Sequence, residues 1–304
     1  MNEDARRGGD KSAAKMWQKD ERGRDNSGGT LLIVESMSRS RWARFRGWIV
    51  GSVLAFGLVP ALAAESVAVR HVEGTLHGFL ALRAEDGHLL AVGDLIEVVQ
   101  GSRVTSHLVF RFKDGSVDDE TTVYSQRGTF RLISDHHIQK GPSYSHPLDM
   151  QIDVRRGVVT TRTTGKDGKE EVKTDSLKLP PDLANGMVLT IAKNLAPDKP
   201  ETKVSMIVAT PKPRVVTLVI TPRTEEPFSV LGSARKARRF EIKIELGGVA
   251  GVVAPLVGKQ PPNIQIWIAE GPAPGFVKEQ GPFYEGGPIW AIELASPVWA
   301  NEHN

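Results

Sequence analysis

Apolar and polar residues alternate through most of the chain beyond residue 66, the mark of strands with one buried face. The clearest run sets Phe240, Ile242, Ile244 and Leu246 against Glu241, Lys243 and Glu245. Leu108, Phe110 and Phe112 alternate with Val109 and Arg111 in the same way. Arg214 to Thr221 is rich in β-branched residues, and Ile264 to Ala269 and Ile289 to Leu294 read as further strands. Asp-Gly pairs at 86–87, 114–115 and 167–168 supply the positive φ angles that tight hairpins use. Gln100-Gly101-Ser102, Arg127-Gly128 and Arg156-Gly157 mark more turns. From Val67 to Val172 the pattern predicts an antiparallel up-and-down meander of about seven or eight strands. The Pro/Gly-rich stretch 271–288, with Phe276, Phe283 and Tyr284, reads as a loop.

One segment has a different period. In LPPDLANGMVLTIAKNLAPDKP (179–200), Leu183, Met187, Ile191 and Leu195 recur every four residues, which predicts an amphipathic helix over Asp182 to Leu195. Pro180-Pro181 suits its start and Pro197 its end. A lone helix of this length is marginal in water, so its apolar stripe needs a cover. The expected fold is therefore mainly β, antiparallel strands in one domain that cover the apolar stripe of one amphipathic helix.

The stretch RSRWARFRGWIVGSVLAFGLVPALAAES (39–66) has the parts of an export signal: four arginines, an uncharged apolar run, and Ala61-Leu62-Ala63 after Pro60. Cleavage near Ala63 would leave one β-rich domain, 64–304, periplasmic or secreted, with signal peptidase and the export machinery as partners. The apolar run is also long enough for an uncleaved inner-membrane anchor. Residues 1–36 are polar and charged, and Met37 opens a signal of ordinary length. They read either as a disordered extension or as untranslated sequence upstream of a start at Met37.

Charge and composition then exclude several functions. Beyond residue 63 the chain holds 28 basic and 29 acidic residues, a net of −1, so the basic isoelectric point belongs to the signal and its extension. Nucleic acid is not an expected partner, since it calls for a clustered basic face. The run Arg235-Lys236-Ala237-Arg238-Arg239 reads as the solvated start of a strand or as a patch for an anionic ligand or membrane surface. The chain has no cysteine, which removes disulfides, thiolate metal sites, cysteine nucleophiles and a lipidated N-terminal cysteine. There is no G-x-S-x-G, S-x-x-K, H-E-x-x-H or phosphate-loop motif. No cofactor is expected.

Two groups of residues carry candidate chemistry. SDHHIQKGPSYSHPLD (134–149) places three histidines near two aspartates. On a strand Asp135 and His137 share a face, His136 points the other way, and His146 returns after the Gly141-Pro142 turn. Asp135, His137 and His146 are thus the candidate metal or acid/base residues, against the plainer reading of a polar turn. Asp118-Asp119-Glu120 lies beside a turn and reads as a solvated face. The second group is aromatic: Trp267, Phe276, Phe283, Tyr284, Trp290 and Trp299 crowd the C-terminal end, as core anchors or as the lining of an apolar pocket.

The order of elements (meander, amphipathic helix, strands ending in PIWAIEL) resembles the periplasmic lipoprotein-carrier fold, the LolA/LolB-like half-barrel. KLPPDLANGMVLTIAKNL (178–195) also resembles stretches of uncharacterised exported bacterial proteins. The resemblance covers most of residues 67–295 and implies a mainly β fold, a single curved antiparallel sheet (half-barrel or open barrel) covering one amphipathic helix around acyl chains. It places Leu183, Met187, Ile191 and Leu195 on the helix face toward the sheet, with Phe110, Phe112 and Trp267 as ligand lining. Having no cysteine, the chain departs from the lipid-anchored member and would correspond to a soluble form. The expected function is non-enzymatic binding of a hydrophobic or amphiphilic ligand, a lipid or lipid-linked molecule. A metal-binding protein or hydrolase using Asp135, His137 and His146, and an envelope structural or assembly partner, stay open beside it.

Overall fold

The computed structural model describes residues 66–164, 169–196, 198–209, 212–230, 233–247 and 260–295. The expected extension 1–36, the export signal 37–63, the Asp167-Gly168 turn and Trp299 lie outside these residues. All described residues belong to one compact unit, Val59–Asn304.

Period-two alternation becomes strand in both parts of the chain. The first eight strands are β1 (Leu76–Ala84), β2 (Leu89–Gln100), β3 (Arg103–Phe112), β4 (Val117–Arg127), β5 (Thr129–Lys140), β6 (Leu148–Asp153), β7 (Val158–Thr164) and β8 (Glu170–Ser176). The helix α1 (Val188–Asn194) follows. Then come β9 (Thr202–Val208), β10 (Arg214–Val230), β11 (Ser233–Glu245), β12 (Ile264–Ala269), β13 (Gly275–Pro282) and β14 (Ile289–Leu294). The stretch expected as a loop over 271–288 thus holds a strand, β13. Its Gly and Pro residues did not prevent pairing, because Gly281 lets Ile264 of β12 approach where a Cβ would collide.

All fourteen strands form one antiparallel sheet in the order β8-β7-β6-β5-β4-β3-β2-β1-β14-β13-β12-β11-β10-β9. Each half is a meander, and the halves meet where β1 pairs β14 from Leu80↔Leu294 to Ala84↔Trp290. β8 and β9 stand at opposite ends of the sheet, and the segment carrying α1 runs between them. The sheet curves on itself. Residues of β3 to β7, such as Val104, Tyr124, Leu132, Ile152 and Val159, share one apolar cluster with Leu218, Ile242 and Ile266 from the other half, and with the helix. The architecture is the expected curved sheet around one helix, and it is barrel-like. A second apolar cluster fills the region of β1, β2, β3 and β14 with Leu82, Phe110, Phe112, Tyr144, Trp290 and Ile292. Phe112, Tyr144, Tyr284 and Trp290 meet there at centroid distances of 5.4–6.2 Å.

Turns carry a local sequence logic. The Asp-Gly pairs at 86–87 and 114–115 sit in four-residue connections, not two-residue ones. In each, an Asp Oδ1 accepts the backbone N–H two residues on (His88 at 3.1 Å, Ser116 at 2.8 Å), and the glycine takes φ +87°.

The helix is shorter than its apolar spacing suggests. Residues 182–185 spend their backbone and side-chain groups on the free edge of β9. Ala184 N donates to Ser205 O (2.8 Å), Ser205 N donates to Asp182 O (3.2 Å), and Asn185 exchanges two hydrogen bonds with the Ile207 backbone. Groups bonded to a strand edge are not available for helical bonds, so the helix starts only at Val188. Gly186 makes the bend at φ +63°. Leu183, Met187, Ile191 and Leu195 nonetheless all enter the same apolar cluster. The far end of the helix is tied down by the chain's first described residues: Asn194 Oδ1 accepts from the Arg70 and His71 backbone N–H groups (2.8 and 2.6 Å), and Arg70 Nη1 donates to Leu195 O (2.6 Å).

Gly186 is fixed twice over. An added Cβ would overlap the Thr122 hydroxyl of β4, and φ +63° alone costs a side chain roughly 1–2 kcal/mol. Gly186→Ala is expected to lower stability by more than that backbone cost, measured by urea unfolding, while Gly74→Ala, with open space around it, stays within about 0.5 kcal/mol of the parent.

Candidate functional site

β4 and β5 put a block of polar residues on the inner face, next to Ser106 of β3 and Glu97 of β2. Their register pairs Asp118 with Gln139, Glu120 with His137, and Thr122 with Asp135. Four of the six, Asp118, Gln139, Glu120 and His137, belong to one network. Asp118, only 8% exposed, accepts from His137 Nε2 (2.8 Å) through Oδ1, and from Gln139 Nε2 and the Tyr144 hydroxyl (2.9 Å each) through Oδ2. His137 Nδ1 faces Glu120 Oε1 at 3.7 Å. Gln139 Nε2 also reaches Phe283 O at 2.9 Å, which ties the network to the aromatic cluster. One rung away, the Thr122 hydroxyl donates to Asp135 Oδ1 at 2.7 Å. Asp135 Oδ2 is buried with no hydrogen-bond partner among the described residues. From the other half of the sheet, Glu279 of β13 stands on the inner face between Ile266 and Ile292.

Electrostatics follow from burial and from His137. Burial opposes the Asp118 charge, but the His137, Gln139 and Tyr144 donors prevail and hold its carboxyl below the usual range. Burial raises Glu120, with Asp118 and Glu279 adding to the rise. Burial, helped by Glu120, pushes Asp135 up to about 8, and burial lifts Glu279 to about 7. Burial would lower His137, yet Glu120, Asp118 and Asp135 push it up to about 10. His137 is therefore an imidazolium with Asp118 and Glu120 on its two nitrogens, and in that form it is neither a general base nor a metal ligand. Asp135 and Glu279 hold protons near neutral pH. A further buried carboxylate, Glu97 of β2, accepts from the Tyr124 hydroxyl (3.5 Å) near the Glu73–Lys193 ion pair (2.6 Å), and burial raises it to about 7.

Asp135 and His137 share the inner face, as the period-two argument requires. His146 does not join them: it is exposed on the β5–β6 connection, and Tyr144 is the residue of that loop that reaches the network. His136 faces away and pairs with Asp149 at 3.0 Å. No three potential metal ligands converge on one point among the described residues. The expected solvated face at 118–120 is corrected in part. Asp119 is outward, beside His107 (3.0 Å), but strand alternation turns Asp118 and Glu120 inward.

The apolar candidates separate into three places. Leu183, Met187 and Ile191 are 1–2% exposed against the sheet, so the space between helix and sheet is filled by side chains. Phe110 and Phe112 belong to the second cluster. Trp267 is on the outer face, where its Nε1 donates to Glu226 (2.7 Å) and Lys278 lies over its ring at 5.7 Å. Leu195 alone of the helix stripe borders open space, a cleft of about 370 Å³ at the barrel rim. Ala192, Leu195, Phe240 and Ile268 supply its apolar surface, and Arg70, Lys193 and Arg238 its cations. Those cations are partly compensated, Lys193 by Glu73 and Arg238 by Glu225 and Glu270. Arg238 comes from the basic run 235–239. The signal that places it at the rim is its step-two relation to Phe240 and Ile242 on β11, opposite Ile268. Glu279 carried no sequence signal, because β13 was not legible as a strand.

No family model and no curated protein matches the chain. Among solved structures, it is similar to a beta-barrel-like protein of a domain of unknown function (DUF1849) from Brucella abortus, at 10% identity and TM-score 0.43, over 76% of this chain and 100% of that one.

The buried acids set the pH dependence of folding. Glu97, Asp135 and Glu279 bind protons more tightly folded than unfolded, so the native state is favoured at low pH and loses that advantage from about pH 4 through about pH 8. His137, also raised, contributes stability that is full below about pH 6.5 and lost as pH climbs toward about 10. All four act in one direction. The thermal midpoint should fall between about pH 5 and pH 9, and Glu279→Gln should raise it at about pH 8 while flattening the profile near pH 7.

Proposed function

We propose that the protein is an exported, periplasmic binder of an amphiphilic ligand, taken at the rim cleft beside the helix end. The observation that carries this reading is the cleft itself, where apolar Leu195, Phe240 and Ile268 meet the charged groups of Arg70, Lys193 and Arg238. An apolar chain laid on such a floor gains about 25 cal/mol per Å² of buried surface, and a polar head finds donors at the rim. At about 370 Å³ the cleft lies near the lower end of ligand pockets, roughly 300–1,000 Å³, so it takes part of a lipid chain and its head, not a whole lipid. The export-signal pattern at 39–66 supports the compartment.

Native mass spectrometry of the protein isolated from cells that export it is expected to show a co-purified lipid-sized mass. The emptied protein should take up a fluorescent long-chain fatty acid. Ile268→Glu, which puts a charge on the apolar floor, should weaken uptake about tenfold or more, equivalent to about 1.4 kcal/mol. A clean mass together with no uptake overturns the reading.

A further inference from the structure

The inner face also holds a row of accessible side chains that the rim cleft does not use. Leu95, Leu108, Glu120 and His137 occupy one rung across four neighbouring strands, β2 to β5. Each is partly accessible: Glu120 and His137 keep 20% of their side-chain surface, and the two leucines are only partly buried. The rungs on either side are sealed. Glu97, Ser106, Thr122 and Asp135 on one side, and Phe110, Asp118 and Gln139 on the other, are 1–8% exposed. A row of accessible side chains between two buried rows, inside a curved sheet, argues for a hollow between the two apolar clusters. Glu279 is partly accessible too, and it is electrostatically coupled to Glu120.

The chemistry of this space is lopsided. Four carboxyl groups, of Asp118, Glu120, Asp135 and Glu279, are set against one cation, His137. No lysine or arginine takes part in the Asp118–His137 network among the described residues. Asp135, 1% exposed, gives one oxygen to Thr122 and leaves the other without a partner, an orphan that buried polar groups rarely tolerate. A bare metal ion is a poor match, since no three ligands converge among the described residues and the His137 nitrogens already face carboxylates. An ammonium group has three donors and tolerates longer, spread contacts. The walls beside it, Leu95 and Leu108, are apolar and partly accessible.

We propose that the hollow bounded by Glu120, His137 and Glu279, with Asp135 in the rung beside it, binds the ammonium group of an amine with an apolar body, separately from the rim cleft. The guest's charge replaces protons that burial keeps on Asp135 and Glu279, so uptake releases protons and strengthens as pH rises through about 8.

The test uses the full chain with n-hexylamine as probe and n-hexanol as its uncharged match, by thermal shift and calorimetry at about pH 8 in two buffers of different ionisation heat. Hexylamine should raise the midpoint, hexanol should not, and the calorimetric heat should differ between buffers by the protons released. Glu279→Gln should cut hexylamine affinity about tenfold or more while its empty form unfolds at a higher temperature than the parent, which separates loss of the guest from loss of the fold. Ile268→Glu should bind hexylamine as the parent does, whatever happens to fatty-acid uptake. Hexanol acting as well as the amine, unchanged affinity in Glu279→Gln, or Mn²⁺ or Zn²⁺ binding in place of the amine each overturns the proposal.

Discussion

A wide sheet with one apolar face has to cover that face, and nearly everything in this molecule answers to that need. A seven-residue helix is too short to do it alone. The sheet therefore bends until β3 to β7 meet β10 to β12 across the helix in one cluster, and burying Met187 or Ile191 there contributes roughly 1.5–3 kcal/mol each. The helix is the plug, and the strand edges set where it sits. Asp182 to Asn185 cover the edge of β9, while Asn194 and Leu195 hold the segment that leads into β1. An open sheet end is a template for unwanted pairing, and covering β9 removes one such template. The opposite end, β8, has charged and exposed residues along its length, which serves the same purpose by other means.

The acidic rung is the exception to an apolar interior. Desolvating carboxylates costs several kcal/mol each unless donors replace water. Asp118 obtains three such donors and stays ionised, whereas Asp135 has the single donor of Thr122, and burial keeps protons on it and on Glu279. The same alternation that builds the core thus builds a row of groups that stability alone does not favour. Polar rows of this kind, set between two packed clusters, are the places where a ligand site is expected.

Much of the architecture was legible before any coordinates. Alternation at Leu108 to Phe112 and Phe240 to Leu246 marked strands correctly, and the four-residue spacing from Leu183 to Leu195 found the buried plug. The spacing did not find the helix boundary, because residues 182–185 keep the spacing while bonding to β9, with Asn185 reaching Ile207 22 residues on. Nor was β13 legible: glycines and prolines at 271–288 are turn formers locally, and only the neighbouring strands make them a ladder. In the candidate site, period two put Asp135 and His137 on one face. It equally put Asp118 and Glu120 there, yet a charged triplet beside a turn looks solvated until the next strand is known to cover it. Trp267 shows the converse, an aromatic at an outward position whose burial comes from Glu226 and Lys278.

The seam between β1 and β14 has a consequence in time. Every other pairing joins strands that are neighbours along the chain, but this one joins a segment near residue 80 to one near residue 290. During synthesis the first meander is finished long before its missing partner exists. Until β14 arrives, β1 presents an unpaired backbone edge, and half of the aromatic cluster around Trp290 is absent. Closing so long a loop is entropically slow. The nascent chain therefore passes through a stage in which an assembled half-sheet waits, open and adhesive, for its last strand.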